Sequence, residues 1–184
     1  MRLFIAATFP DAVIRDLNQR VAGFRSRLPS ASWVRSETQH LTFAFLGEQD
    51  AALIDRIAPT LRERLAAIPR FEGRIRGCGF FPNPHHARVG WVGLDPEEGF
   101  GKVAAVVREV VEEEGVHLDR AEFRAHLTLM RLKDRWPPAS IDLFSRSLRD
   151  YASEPFAVDH ATLFSSELKP TGAVHTPVQT YRLN

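Results

Sequence analysis

The tripeptide His-Leu-Thr occurs twice in the chain, as His40-Leu41-Thr42 and as His126-Leu127-Thr128. An unperturbed imidazole, with a pKa of ~6.5, gives or takes a proton near neutrality, and a threonine hydroxyl can donate to a charged oxygen. Each copy sits in a short apolar run, HLTFAFLG and HLTLMRL, that reads as a β-strand. Strand side chains alternate between faces, so His and Thr two residues apart share one face. Leu41, Phe43 and Phe45 in one copy, and Leu127 and Leu129 in the other, then point the opposite way and pack a core. Two such strands across a groove would place two imidazoles and two hydroxyls around one small anion. A single H-x-T is common, and a lone strand histidine is most often structural. The pair carries meaning only if both copies hold equivalent places in a repeated unit.

Four chemistries can be weighed for such a pair. A metal site wants three or four ligands in fixed geometry; Thr is a poor ligand, and no H-x-H, H-E-x-x-H or Asp cluster lies beside either copy, so no metal and no cofactor is expected. A threonine nucleophile with its own base would leave the second copy unexplained. A glycine-rich phosphate loop is absent from the sequence. In-line displacement at phosphorus fits the symmetry. One imidazole deprotonates the entering oxygen, the other protonates the leaving oxygen, and the hydroxyls donate to the non-bridging oxygens. A strained, singly charged cyclic phosphodiester would need no metal.

The elements that must position these groups repeat as well. His40 and His126 stand 86 positions apart, and the same offset carries RLFIAATFPD from Arg2 onto RVGWVGLDPE from Arg88. Pro10 then meets Pro96, and Asp11 meets Glu97. A downstream apolar-periodic stretch ends at Pro69-Arg70-Phe71 in one half and at Pro155-Phe156 in the other. The order strand, helix, H-L-T strand, helix, strand appears twice, which indicates an old duplication.

Taken in order, Arg2 to Phe9 reads as a buried strand. A helix opens at Pro10-Asp11 and carries Val13, Ile14, Leu17, Val21, Phe24 and Leu28 at spacings of three and four. After the first motif strand, Asp50 suits an N-cap for a helix with Leu53, Ile54, Ile57, Leu61, Leu65 and Ile68 on one stripe. Phe71 to Phe81 reads as a glycine-weakened strand whose Arg74 and Arg76 form a solvated face. His85 and His86 lie in the turn PNPHH, before a strand over Ala87–Leu94. A third helix begins near Glu97, and Gly115 suits its C′ position after three glutamates. Ser140 suits the cap of a short fourth helix. Phe156–Phe164 reads as one strand, SSELKPTGAVH as a loop turning at Thr171-Gly172, and Val178–Leu183 as a final strand. The expected fold is α+β, bilobal and pseudo-symmetric: two mainly antiparallel sheets, one per half, with helices outside and the groove between the lobes as the site. Residues 1–184 are expected to form one domain of two intertwined lobes, each contributing one H-x-T motif.

Composition is ordinary for a globular protein, with 44% hydrophobic and 26% charged residues and a net charge of +1. That charge makes no case for long nucleic acid or a membrane surface, but leaves room for a nucleotide or RNA end in a local basic pocket. One cysteine, Cys78, excludes an intrachain disulfide and a cysteine metal site. The simplest expectation is a monomer in a reducing cytoplasm without a membrane span.

The stretches RLFIA, W-V ahead of H-L-T-F-x-F-L-G-E, R-V-x-W-V-G, F-x-x-H-L-T-L-x-R and S-x-L-x-P-x-G-A-V together resemble the two-histidine phosphoesterases. Within them the similarity is to the RNA 2′,3′-cyclic phosphodiesterases, also called 2′-5′ RNA ligases. The resemblance implies His40 as proton donor, His126 as proton acceptor, Thr42 and Thr128 as phosphate binders, and a 2′-phosphate product from RNA or nucleotides with 2′,3′-cyclic ends. It also implies Arg131 near phosphate or base. Strand parity puts Arg131 opposite His126, so it reaches the groove only if the strand ends or bulges there. The sequence departs from the family at Ala44, where Lys is frequent, and at His175, where Tyr is frequent. Reversible 2′-5′ ligation, a cyclic phosphate on a small metabolite, and a non-catalytic RNA-end or nucleotide binder are the rival readings.

Overall fold

In the computed structural model, which describes residues 1–170 and 172–184, β1 (Arg2–Ala7) lies at the centre of one sheet. Leu3 and Ile5 are fully buried, and β1 pairs antiparallel with β3 (Leu41–Glu48) on one side and β8 (His160–Lys169) on the other. β9 (Gly172–Arg182) closes this four-stranded sheet in the order β3-β1-β8-β9. The second sheet runs β2-β6-β5-β4-β7, from β2 (Ser32–Trp33), β6 (His126–Arg131), β5 (Val89–Asp95), β4 (Phe71–Phe81) and β7 (Phe156–Val158).

Four helices cover the sheets: α1 (Asp11–Arg25), α2 (Ala52–Ala66), α3 (Glu97–Glu113) and α4 (Pro138–Leu148). Their buried faces are apolar stripes; in α3 the buried residues are Phe100, Val103, Ala104, Val107, Val110 and Val111. α1 and α3 begin at Asp11 and Glu97, and α2 and α4 at Ala52 and Pro138, so both pairs keep the 86-residue offset of the histidines. The fold is α+β with two antiparallel sheets, as the sequence indicates.

The sheets are not divided one per half. Each half lends its third strand to the other: β4 joins β5 and β6, while β8 joins β1 and β3. Two further expectations change with this. Phe156–Phe164 is two strands: Phe156–Val158 pairs with β4, and after Asp159 the chain crosses to pair with β1. SSELKPTGAVH is the tip of a long hairpin, with Ser166 opposite His175 and Lys169 opposite Gly172. Of the turn expected at Thr171-Gly172, Thr171 lies outside the described residues, and Gly172 has φ 117°, where a Cβ would be strained.

The helix ends show small differences of the same kind. Asp50 caps from one residue further out than an N-cap, accepting from the Ala52 N–H at 3.1 Å. Ser140 lies inside α4, which starts instead on Pro137-Pro138, whose fixed φ suits a first turn. Gly115 takes the left-handed C′ conformation at φ 83°, and the Val116 N–H reaches the Val111 carbonyl at 3.1 Å. The acids that end α3 against its dipole are matched from α2: Arg64 forks onto Glu113 at 2.9 and 3.0 Å, and Arg56 meets Glu114 at 3.0 Å.

Candidate active site

Leu41, Phe43, Leu127 and Leu129 are all at most 1% exposed, so the backbone carrying each histidine is held from behind by packed side chains. In front lies a cleft of about 780 Å³, whose walls include His40, Thr42, His126 and Thr128. Arg74, Arg76, His85 and His86 are not among its lining residues.

The two imidazoles are fixed by the same device. His40 Nδ1 stands 2.7 Å from the Thr38 carbonyl, and His126 Nδ1 stands 2.7 Å from the Arg124 carbonyl. Since a carbonyl only accepts, each ring carries its proton on Nδ1 when neutral, and Nε2 is left to exchange a proton with a ligand. Thr38 and Arg124 are themselves 86 residues apart, so the positioning contact is duplicated along with the catalytic residue. Among the described residues neither Thr42 nor Thr128 spends its hydroxyl on a protein partner, which leaves both as donors to a bound anion.

Burial, the largest influence, holds both histidines below the usual value. For His40 the smaller opposing pulls are the Thr38 hydrogen bond upward and repulsion from His175 and His126 downward. For His126 they are the Arg124 hydrogen bond upward and repulsion from Arg131 downward. Aromatic walls create the burial: Phe4 and His40 lie 4.9 Å apart by ring centroid, and Phe81 meets His126 edge-on at 4.8 Å.

Arg131 lines the cleft despite its parity, because β6 bulges. Thr128 pairs with Trp91 and Met130 with Gly90, leaving Leu129 as an extra residue. Leu129 and Met130 both turn inward, and Arg131 returns to the face of Thr128. β3 repeats the bulge: Thr42 pairs with Ala6 and Ala44 with Ile5, so Phe43 and Ala44 both face the core. Phe45, read from parity as a core residue, is therefore 46% exposed and lines the cleft. Ala44 does not line it. Phe45 and Arg131 are equivalent under the 86-residue offset, so at this place one motif strand brings an aromatic ring to the cleft and the other a guanidinium.

Other lining residues carry no signal in the sequence, among them Arg2 and Arg35, and His175, noted there only as a departure from the family, also lines the cleft. Arg2 opens β1 and Arg35 sits in the short link between β2 and the first motif, and neither carries a periodic signal. His175 stands in a stretch that reads as a loop. Among the described residues no group of three or more His, Cys, Asp or Glu is placed to hold a metal ion.

The model of the 2′-5′ RNA ligase superfamily matches residues 9–170. An RNA 2′,3′-cyclic phosphodiesterase of Thermus thermophilus is 36% identical over 194 residues, covering 100% of this chain and 90% of that protein. Its counterpart from Thermotoga maritima is 30% identical over 178 residues, covering 95% and 91%. Among solved structures, a Thermus thermophilus protein superposes with a TM-score of 0.77 at 29% identity, covering 99% of this chain and 97% of that one. Escherichia coli LigT complexed with 3′-AMP shares the fold at a TM-score of 0.75 and 23% identity, with 99% and 97% covered. With its duplicated H-x-T strands, its crossed sheets and these relatives over its whole length, the chain belongs to the 2′-5′ RNA ligase superfamily.

Proposed function

We propose that the protein hydrolyses 2′,3′-cyclic phosphodiester ends of RNA or nucleotides, with His126 as proton acceptor and His40 as proton donor. His126 Nε2 takes a proton from water as its oxygen attacks phosphorus. The bond from phosphorus to the 3′ oxygen breaks, and protonated His40 gives its Nε2 proton to that oxygen. The products are a 2′-phosphomonoester and a free 3′-hydroxyl. Thr42 and Thr128 donate to the non-bridging oxygens, and Arg131 offsets their charge. Residues 1–184 act as one domain in which each lobe supplies one half of the machinery.

The observation that carries this reading is the matched pinning of both imidazoles through Nδ1. A binder of phosphate has no need of two histidines held in the same tautomer with Nε2 free. The assignment of acid and base rests on a place where the pseudo-symmetry fails. The Arg131 guanidinium repels a proton from His126. The corresponding place on the His40 side is the uncharged Phe45. The like charges near His40 belong to imidazoles, and they vanish when those are neutral. The fixed charge beside His126 thus favours His40 over His126 as the protonated member of the pair.

The test is incubation with a 2′,3′-cyclic-ended oligonucleotide, with and without EDTA, followed by identification of the phosphate position. A 2′-phosphate formed equally under both conditions supports the reading. No turnover, or activity lost to EDTA and restored by a divalent ion, overturns it.

A further inference from the structure

His175 differs from the other two cleft histidines in one respect. Its Nδ1 is buried and has no hydrogen-bond partner among the described residues. A buried N–H without an acceptor costs more than a buried lone pair without a donor, so the proton of the neutral ring sits on Nε2. Burial first, then Arg2 and Arg35, holds this histidine below its usual value, which keeps it neutral. His40 and His126 thus present Nε2 as a proton-exchanging atom, whereas His175 presents Nε2–H as a fixed donor. Its ring is set by two edge-on contacts, 4.9 Å from Phe4 and 5.3 Å from His40 by centroid.

The charge around it exceeds what one cyclic phosphodiester requires. Arg131 neighbours His126, while Arg2 and Arg35 neighbour His175. Arg35 leaves the edge of the β2–β6 sheet and reaches across to β9, donating to the Ala173 carbonyl at 3.1 Å. Arg2 lies over the Phe45 ring at 4.8 Å. Among the described residues none of the three arginines has a carboxylate partner, and no Asp or Glu lines the cleft. A singly charged substrate is answered by Arg131 and two hydroxyls. That leaves two guanidinium groups and an N–H donor beyond His40.

We propose that Arg2, Arg35 and the Nε2–H of His175 form a second anion subsite that takes a phosphate on the 5′ side of the reacting nucleotide. This rests on the cyclic-end hydrolysis proposed above. The subsite makes the enzyme select substrates bearing at least two phosphorus centres over a cyclic mononucleotide with a free 5′-hydroxyl. Its ligand is either the next diester of an RNA chain or a terminal 5′-monophosphate. A tyrosine at position 175 would offer an O–H in the same role.

Three substrates separate the possibilities: a 2′,3′-cyclic mononucleotide with a 5′-hydroxyl, the same compound with a 5′-phosphate, and a cyclic-ended dinucleotide. For the parent, a 5′ phosphorus centre is expected to raise kcat/KM roughly tenfold or more, chiefly through KM, as hydrogen bonds to a charged group do. A gain with the 5′-phosphate alone assigns the subsite to terminal phosphate; a gain that includes the dinucleotide assigns it to the RNA chain. Arg35→Gln and His175→Phe should each remove much of the gain, and His175→Tyr should keep it. The His175→Phe ring retains the contacts with Phe4 and His40, and Arg35 is exposed, so above about pH 7 both variants should unfold near the parent's temperature. Equal kcat/KM on all three substrates, or losses of one size on every substrate, overturns the subsite while leaving the hydrolysis intact. No turnover of any substrate overturns both.

Discussion

Gly93 is the backbone neighbour of His126 across the β5–β6 ladder, and it does not line the cleft. A Cβ at this position would stand 2.7 Å from the Arg76 carbonyl oxygen of β4, where ordinary contact begins at 3.4 Å. The shortfall is 0.7 Å (3.4 against 2.7 Å), and it falls on backbone that cannot swing aside. β4 already bulges between Ile75 and Cys78, and both strands are tied into ladders, so Gly93→Ala must push β5 toward the motif strand. Overpacking of this kind costs about 1–3 kcal/mol, and each kcal/mol lowers Tm by about 2–4 °C at this chain length. A misplacement of 1 Å costs about 100-fold in rate, so passing between half and all of the shortfall to His126 predicts about a 5- to 25-fold fall in kcat. The assays are steady-state hydrolysis of a 2′,3′-cyclic nucleotide and thermal unfolding. Gly23→Ala is the control: nothing lies within 4 Å of its Cβ, and an alanine in α1 should stabilise slightly at unchanged kcat. A Gly93→Ala enzyme with a lowered Tm and the parent's kcat would refute the coupling between this ladder and His126.

His40→Ala and His126→Ala should each lose roughly 10²–10⁴-fold, and the double variant far less than the product, as measured by single-turnover rates. Burial lowers both histidines, so the bell of kcat/KM should peak below their usual ~6.5, and a bound phosphate should move both limbs of kcat upward. Arg131→Gln should move the acid limb of kcat/KM upward, because the repulsion that keeps His126 unprotonated is gone. Thr42→Ala and Thr128→Ala should each cost about 2.7–4 kcal/mol in barrier at unchanged Tm, and kinetics within twofold of the parent would make the hydroxyls structural. His40, His126 and His175 are all depressed, so their contribution to stability is complete above ~6.5 and is lost as pH falls through their lowered folded values. Tm should drop between about pH 7 and 5, and His175→Phe should flatten that slope.

The helices and both motif strands can be read from the chain because their apolar spacing is a direct imprint of which face is buried. The site is less open to that reading where the backbone departs from ideal alternation. Parity assigns Phe45 to the core and Arg131 to the wrong face for one reason, an extra residue in each motif strand. The trace of it is two consecutive inward residues, Phe43-Ala44 and Leu129-Met130, where alternation allows one. Val158-Asp159-His160 changes sheets without any break in pattern, because an alternating run reads alike whichever partner it pairs with. The β8–β9 hairpin reads as a loop because it is polar. It is polar because Ser166 and His175 line the cleft, and a strand facing a ligand cannot carry the apolar signature of a core. Tautomers and orphaned nitrogens lie beyond any sequence pattern, since they depend on carbonyls brought together only by folding.

The exchange of third strands sets the order in which this molecule can be born. Arg2 pairs with Ser166, so β1 leaves the ribosome long before its second neighbour arrives. Until then β1 and β3 form a pair in which the outer edge of β1 stays open, available to any extended segment nearby. Contacts so distant in sequence make for slow closure, and the nascent protein passes through a sticky, half-built stage. Neither half completes a sheet from its own strands, because each sheet takes one from the other half. An ancestor encoded as a single half would have met the same need by trading that strand with a second copy of itself. On this view the present gene preserves, in one polypeptide, the embrace of an ancient swapped dimer.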